Sequence, residues 1–157
     1  MDPHPDTVRH RARVQALMGE LTWLLEARAA EHDLSKTNPP EVEAFNAVTD
    51  QLSGLEYGSP EYKDALRDLG PALDHHYAQN RHHPEWHAEG INGMTLLDLV
   101  ELICDWAAAV ERVHAGNLEK SVEINRERFG LTDQIVRIIL NTYESMGLLP
   151  KSGDART

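Results

Sequence analysis

The sequence predicts an all-α fold of about six helices. Three observations carry this. Apolar residues recur at three- and four-residue spacing in every long segment. Proline, glycine and small polar residues fall where helices start and stop. No segment alternates apolar and polar residues as a strand does, and no hairpin turn is legible.

The elements follow in order. The first helix begins at Pro5 or Asp6 and carries Val14, Leu17, Met18, Leu21, Leu24 and Leu25 on one face. It runs through Ala27, Ala29 and Ala30 to His32-Asp33, with Gly19 as the point where it would break. Asn38-Pro39-Pro40 ends that segment. A short helix follows from Glu41 to about Leu52, and Ser53-Gly54 and Tyr57-Gly58 punctuate the chain after it. Ser59-Pro60-Glu61 reads as N-cap, first-turn proline and first-turn acid. That helix carries Tyr62, Leu66, Leu69 and Leu73 into a histidine-rich segment, Asp74 to His87. Gly90 to Met94 reads as a loop, and Thr95 with Asp98 as a capping pair. The next helix, Leu96 to His114, is the most apolar, and Gly116-Asn117 stops it. Helices over 118–129 and 133–146 complete the set, with Gly147 as a left-handed cap. A single domain is expected over residues 1–150, with a flexible tail over 151–157.

Composition narrows the function. A formal net charge of −11 on 157 residues repels the phosphate backbone, so duplex nucleic acid is not an expected partner. A local cationic pocket for a small phosphorylated ligand remains compatible, as does a homo-oligomer. No run of 18 apolar residues and no secretory leader is present, so a cytoplasmic protein without a membrane partner is expected. One cysteine, Cys104, excludes an internal disulfide and reads as a small buried hydrophobe.

The chemistry lies in ionisable residues on apolar faces. His10 shares the inward face of the first helix, His32-Asp33 ends a stretch of small residues, and Asp105 stands between Cys104 and Trp106. A carboxylate at such a place costs free energy unless it is paired, hydrogen-bonded or metal-bound. Asp98, Glu101 and Asp105 share one helix face and call for a cation among them. Asp98 also has a purely structural reading, as the capping-box acid. His10, His32, Asp33 and Asp105 together form a workable ligand set for a divalent ion, Mn, Fe, Co, Zn or Mg.

The order His10, His32-Asp33, Asp105 resembles the signature of the HD-domain superfamily of metal-dependent phosphohydrolases. The strings Ala29-Ala30-Glu31-His32-Asp33-Leu34-Ser35-Lys36 and Ile103-Cys104-Asp105-Trp106-Ala107-Ala108 are similar to its motif helices. The segment His75-His76-Tyr77 to His82-His83-Pro84-Glu85 is similar to one in small HD-like proteins of phages and bacteria. The resemblance spans residues 10 to 142. It implies an HD-type helical domain that hydrolyses a nucleotide or cyclic nucleotide phosphate ester by a metal-bound water. Many deoxynucleotidases of the superfamily have a glutamate where this chain has Lys36, which points to phosphodiesters or bulkier nucleotides instead.

The same resemblance implies roles for the histidine-rich segment. Extra histidines there can hold a second metal, with Asp33 as the bridge. One histidine of each adjacent pair is expected to face inward. His75 and His82 are assigned to metal, and His76 and His83 to catalysis with Asp33 and Lys36. Asn80 or Glu85 would orient a ring. Lys36 and Arg81 are the cations expected on the phosphate. Ser121, Asn125 and Arg128, on one helical face, could bind phosphate or ribose, with ordinary surface polarity as the alternative. Trp86 reads as a packing residue, or else as a wall of a base pocket. Two other functions stay open. One is a non-catalytic nucleotide-binding protein with an HD fold. The other is a helical interaction protein with structural histidines.

Overall fold

Pro5 opens the first helix, where its missing N–H costs nothing, and the His4 ring accepts a bond from the Asp6 amide. From there a computed structural model, describing residues 2–55, 59–112 and 116–150, shows seven α-helices and no strand among the described residues. The fold is all-α. Tyr57-Gly58, His114 and the 151–157 tail lie outside the described residues, as does the side chain of Leu66.

The chain divides into two units, Met1–His32 and Asp33–Thr157. The first is one helix, α1, spanning Pro5–Glu31. It does not break at Gly19, because a single glycine costs a helix only about 1 kcal/mol. None of its residues is buried, and its apolar stripe is open: Leu17 is 41% exposed and Leu21 50%.

The second unit begins with a left-handed residue, Asp33 (φ 54°), followed by a 3-10 turn over Leu34–Thr37. Helices α2 (Glu41–Ser53) and α4 (Gly70–Gln79) pack against that turn, and α3 (Pro60–Asp68) packs against both of them. Ser59 donates no turn of its own to α3 but caps it, its Oγ accepting from the Tyr62 amide at 3.1 Å. The sequence suggests one continuous helix after Pro60. Gly70 (φ 42°) instead turns the chain between α3 and α4, a conformation glycine adopts without strain. Two 3-10 turns, Pro84–Trp86 and Gly90–Gly93, lead on to α5 (Leu96–Glu111).

α5, α6 (Leu118–Phe129) and α7 (Asp133–Ser145) build the main core from Leu102, Ile103, Trp106, Val122, Ile139 and Tyr143. Burying each such side chain contributes about 1.5–3 kcal/mol. The Tyr143 hydroxyl, fully enclosed, donates to the Ile103 carbonyl at 2.8 Å, which satisfies its polar end. Trp106 stacks on Phe129, with centroids 6.2 Å apart. Thr95 and Asp98 form the reciprocal capping box of α5. Gly147 (φ 75°) follows α7 in the left-handed region. Cys104 is exposed on α5, not buried, since it faces away from this core. No helix among the described residues is long and apolar enough to cross a membrane.

Candidate metal centre

Three histidines and one aspartate of the second unit meet at one point. Asp33, His76, His82 and His83 each offer a ligand atom, and all four atoms lie within 4.8 Å of one another. The left-handed turn at Asp33 aims its carboxylate back toward α4. A non-glycine residue held in that region carries backbone strain, which tends to collect at functional sites. His76 sits on the buried face of α4, whereas His82 and His83 arrive on the turn after Asn80, which the His83 amide closes by donating to the Asn80 carbonyl at 3.1 Å.

The orientation of each ring has a cause. Glu41, at the start of α2, is wholly buried. Its Oε2 lies 2.9 Å from His76 Nδ1, its Oε1 lies 2.7 Å from His75 Nδ1, and the Ser35 hydroxyl donates to it at 2.8 Å. Burial opposes the ionisation of Glu41. The bonds from His75, Ser35 and His76 outweigh it and hold the carboxyl below its ordinary pKa. An ionised Glu41 accepts the His76 Nδ1 proton, which leaves Nε2 as a lone pair facing the cluster. His82 repeats the arrangement, with Nδ1 at 3.1 Å from Glu101 Oε1.

The Nε2 atoms of His76 and His82 stand 3.4 Å and 3.7 Å from Asp33 Oδ1. Two donors bound to one ion at 2.0–2.2 Å in tetrahedral geometry would be roughly 3.4 Å apart. These separations fit a shared cation better than direct N–H···O bonds. His83 Nε2 lies 2.9 Å from His76 Nε2. Burial pushes the His83 pKa down to about 2, aided by His82 and His76 and opposed by Asp105. Burial and the Lys36 charge likewise lower His76, against the pull of Asp33 and Glu41. Neutral imidazoles are the ligand form. The residues present therefore fit a divalent metal. Asp105 also brings a carboxylate oxygen within 4.8 Å of Asp33, which places Asp33 in two adjacent ligand groups.

The other candidates fall in different places. Lys36 lies at the centre's edge, with Nζ 2.6 Å from Asp33 Oδ2 and 5.0 Å from the Phe45 ring centroid. His10 must be corrected. It lies on the same unbroken helix as His32, 22 residues away, a distance of roughly 33 Å at 1.5 Å per residue. Within one chain it cannot join a site with His32 or with Asp33, the next residue. His32 itself is the C-cap of α1. His75 is corrected from metal to Glu41, because its neighbour His76 takes the inward face of α4.

The phosphate candidates shift too. Arg81 grips Asp98 through two bonds, at 2.7 and 3.1 Å, so it completes the start of α5 instead of facing the centre. Asp98 is fully buried between Arg81 and Thr95, which is the capping role. Ser121 and Asn125 are buried in α6, closed to a ligand from solvent, because they share the face of Val122. Arg128 reaches Glu85 at 2.6 Å and the Tyr77 hydroxyl at 3.1 Å. The Tyr77 ring lies 4.8 Å from that of His83, so Arg128 stands one residue removed from the cluster. Asn80 bonds Ser35 and the His76 carbonyl, bracing the turn beneath His76. Trp86 is 46% exposed and packs in no core.

Sequence reasoning overlooked Glu41, and it read Glu101 only as one of three acids on a face. Glu41 gives no local signal, being one of two acids in the first turn of an ordinary helix.

Comparison with known proteins names no activity. The model of a family of unknown function, DUF5662, matches residues 2–145, and the chain belongs to that family. No curated protein and no solved structure matches it.

Proposed function

We propose that this DUF5662 protein is a metal-dependent phosphohydrolase that cleaves a nucleotide or cyclic nucleotide phosphate ester. One observation carries the reading: Asp33, His76, His82 and His83 converge within 4.8 Å, and the carboxylates of Glu41 and Glu101 turn two of the rings toward Asp33. Those four residues would hold one ion. Asp33 and Asp105 would share a second. When bound, such ions supply an acidified water and a Lewis acid for a phosphoryl oxygen. An imidazole and carboxylate donor set suits Mn²⁺, Fe²⁺, Co²⁺ or Zn²⁺.

The chain's own residues do the rest. Glu41 and Glu101 fix the ring tautomers of His76 and His82. Lys36 now lies against Asp33, and its ammonium would swing onto the substrate phosphate once a metal takes up the carboxylate charge. Arg128, beyond Tyr77, is a second cation on that side. The acidic whole-chain charge makes a small anion held by a local cation a better substrate than a nucleic acid.

The test is metal analysis of the purified protein, followed by phosphate release from a panel of nucleotides and cyclic nucleotides with Mn²⁺. Turnover that vanishes in Asp33→Ala supports the reading. A protein that binds no divalent metal refutes it.

A further inference from the structure

Leu21 is the midpoint of α1 in two senses. It is the centre of the apolar stripe along the helix axis. Leu17 and Leu25 lie four residues to either side, and Met18 and Leu24 lie three. It is also the centre around the helix. Eleven residues are close to three full turns, so His10, Leu21 and His32 fall on one line to within about 20°. This stripe is open, with Leu24 39% and Met18 63% exposed. A helix draws most of its stability from covering such a face.

Charge says what covers it. The N-terminal half of α1 carries Arg9, Arg11 and Arg13 against one acid, Asp6, while the C-terminal half carries Glu20, Glu26 and Glu31 against Arg28. A lone helix is destabilised by this polarity, because its dipole favours acids at the N-terminus and bases at the C-terminus. The pattern suits an antiparallel copy of the same helix, in which each basic half lies along an acidic half. A two-fold axis at Leu21 sets Leu17 against Leu25, Met18 against Leu24 and Arg11 against Glu31.

We propose that α1 pairs antiparallel with α1 of a second copy about a two-fold axis at Leu21, and that this brings the partner's His10 level with His32. The histidine that cannot reach His32 within one chain reaches it from the other. The pairing stands on the helix alone.

Light scattering on the full chain tests the pairing, and cysteine cross-linking in a Cys104→Ser background tests its register. The expected results are a mass of two chains, a covalent dimer from Leu21→Cys, and preferential cross-linking of Leu17→Cys with Leu25→Cys over Leu17→Cys with itself. A single-chain mass, or the reverse cross-linking preference, overturns the pairing.

Discussion

Oε2 of Glu41 lies 2.9 Å from Nδ1 of His76, and both groups are shut off from solvent. The carboxylate comes from the first turn of α2 and the ring from the middle of α4, so one contact joins the packing of two helices to the aim of a single nitrogen. Replacing Glu41 by Ala leaves His75, His76 and Ser35 without their shared acceptor. The expected cost is about 1–3 kcal/mol of stability, read as a lower midpoint in urea. Glu41→Gln should keep more of the fold and still lose about 10–100-fold in metal affinity, measured by competition with a chelator. An unchanged affinity in Glu41→Gln would show that it does not position His76.

Lys36 should separate substrate from metal. Lys36→Ala removes the cation nearest Asp33 but no ligand atom. The expected outcome is a full complement of metal and a KM for the nucleotide raised on the order of tenfold or more, the loss of one charge-assisted contact. Equal KM and kcat in variant and parent would remove Lys36 from phosphate recognition.

Acid should loosen the metal-free protein through its histidines. The His83 pKa is lowered to about 2 in the folded chain, against 6.5 unperturbed, and that of His76 is also lowered. Between those limits the unfolded chain binds the proton that the folded chain refuses. Stability is therefore whole above about pH 6.5 and declines as pH falls, by up to about 1.4 kcal/mol per pH unit for each such proton. Thermal midpoints of chelator-treated protein should fall from pH 7 to pH 5, and His83→Asn should flatten the slope. A midpoint that rises toward pH 5 would contradict the buried neutral state of these rings.

How much of this was legible in the sequence depends on the range of the interactions. Local signals carried most of the helices: Thr95 with Asp98, Pro60 in a first turn, Gly147 after α7. Local strings also marked His32-Asp33, Asp105 and the paired histidines as candidates. Partners distant in the chain were not legible, which is why Glu41 was missed beneath His75 and His76. Periodicity shows that a face is apolar but not what covers it. The stripe of α1 therefore read as core, and His10 on it as an inward ligand, although the helix runs on past Gly19 with that face open. Ser121 and Asn125 failed for the converse reason, since polar residues with helical spacing look alike whether they face solvent or the core.

Asp98 offers a control for the site's boundaries. It shares a face with Glu101 and Asp105 yet bonds Thr95 and Arg81. Asp98→Ala should cost about 1–3 kcal/mol of stability through the lost cap and its buried bonds. Metal content per folded molecule should stay at the parent value. A loss of bound metal at intact fold would move Asp98 into the ligand set.

The most direct measurement is the metal stoichiometry of the purified chain after loading with Mn²⁺ or Co²⁺ and removal of the excess. The account predicts at least one tightly held ion per chain, lost in Asp33→Ala and in His82→Ala while both variants keep the parent's helical circular dichroism. A folded parent chain that retains no ion, or folded variants that retain as much as the parent, would contradict it.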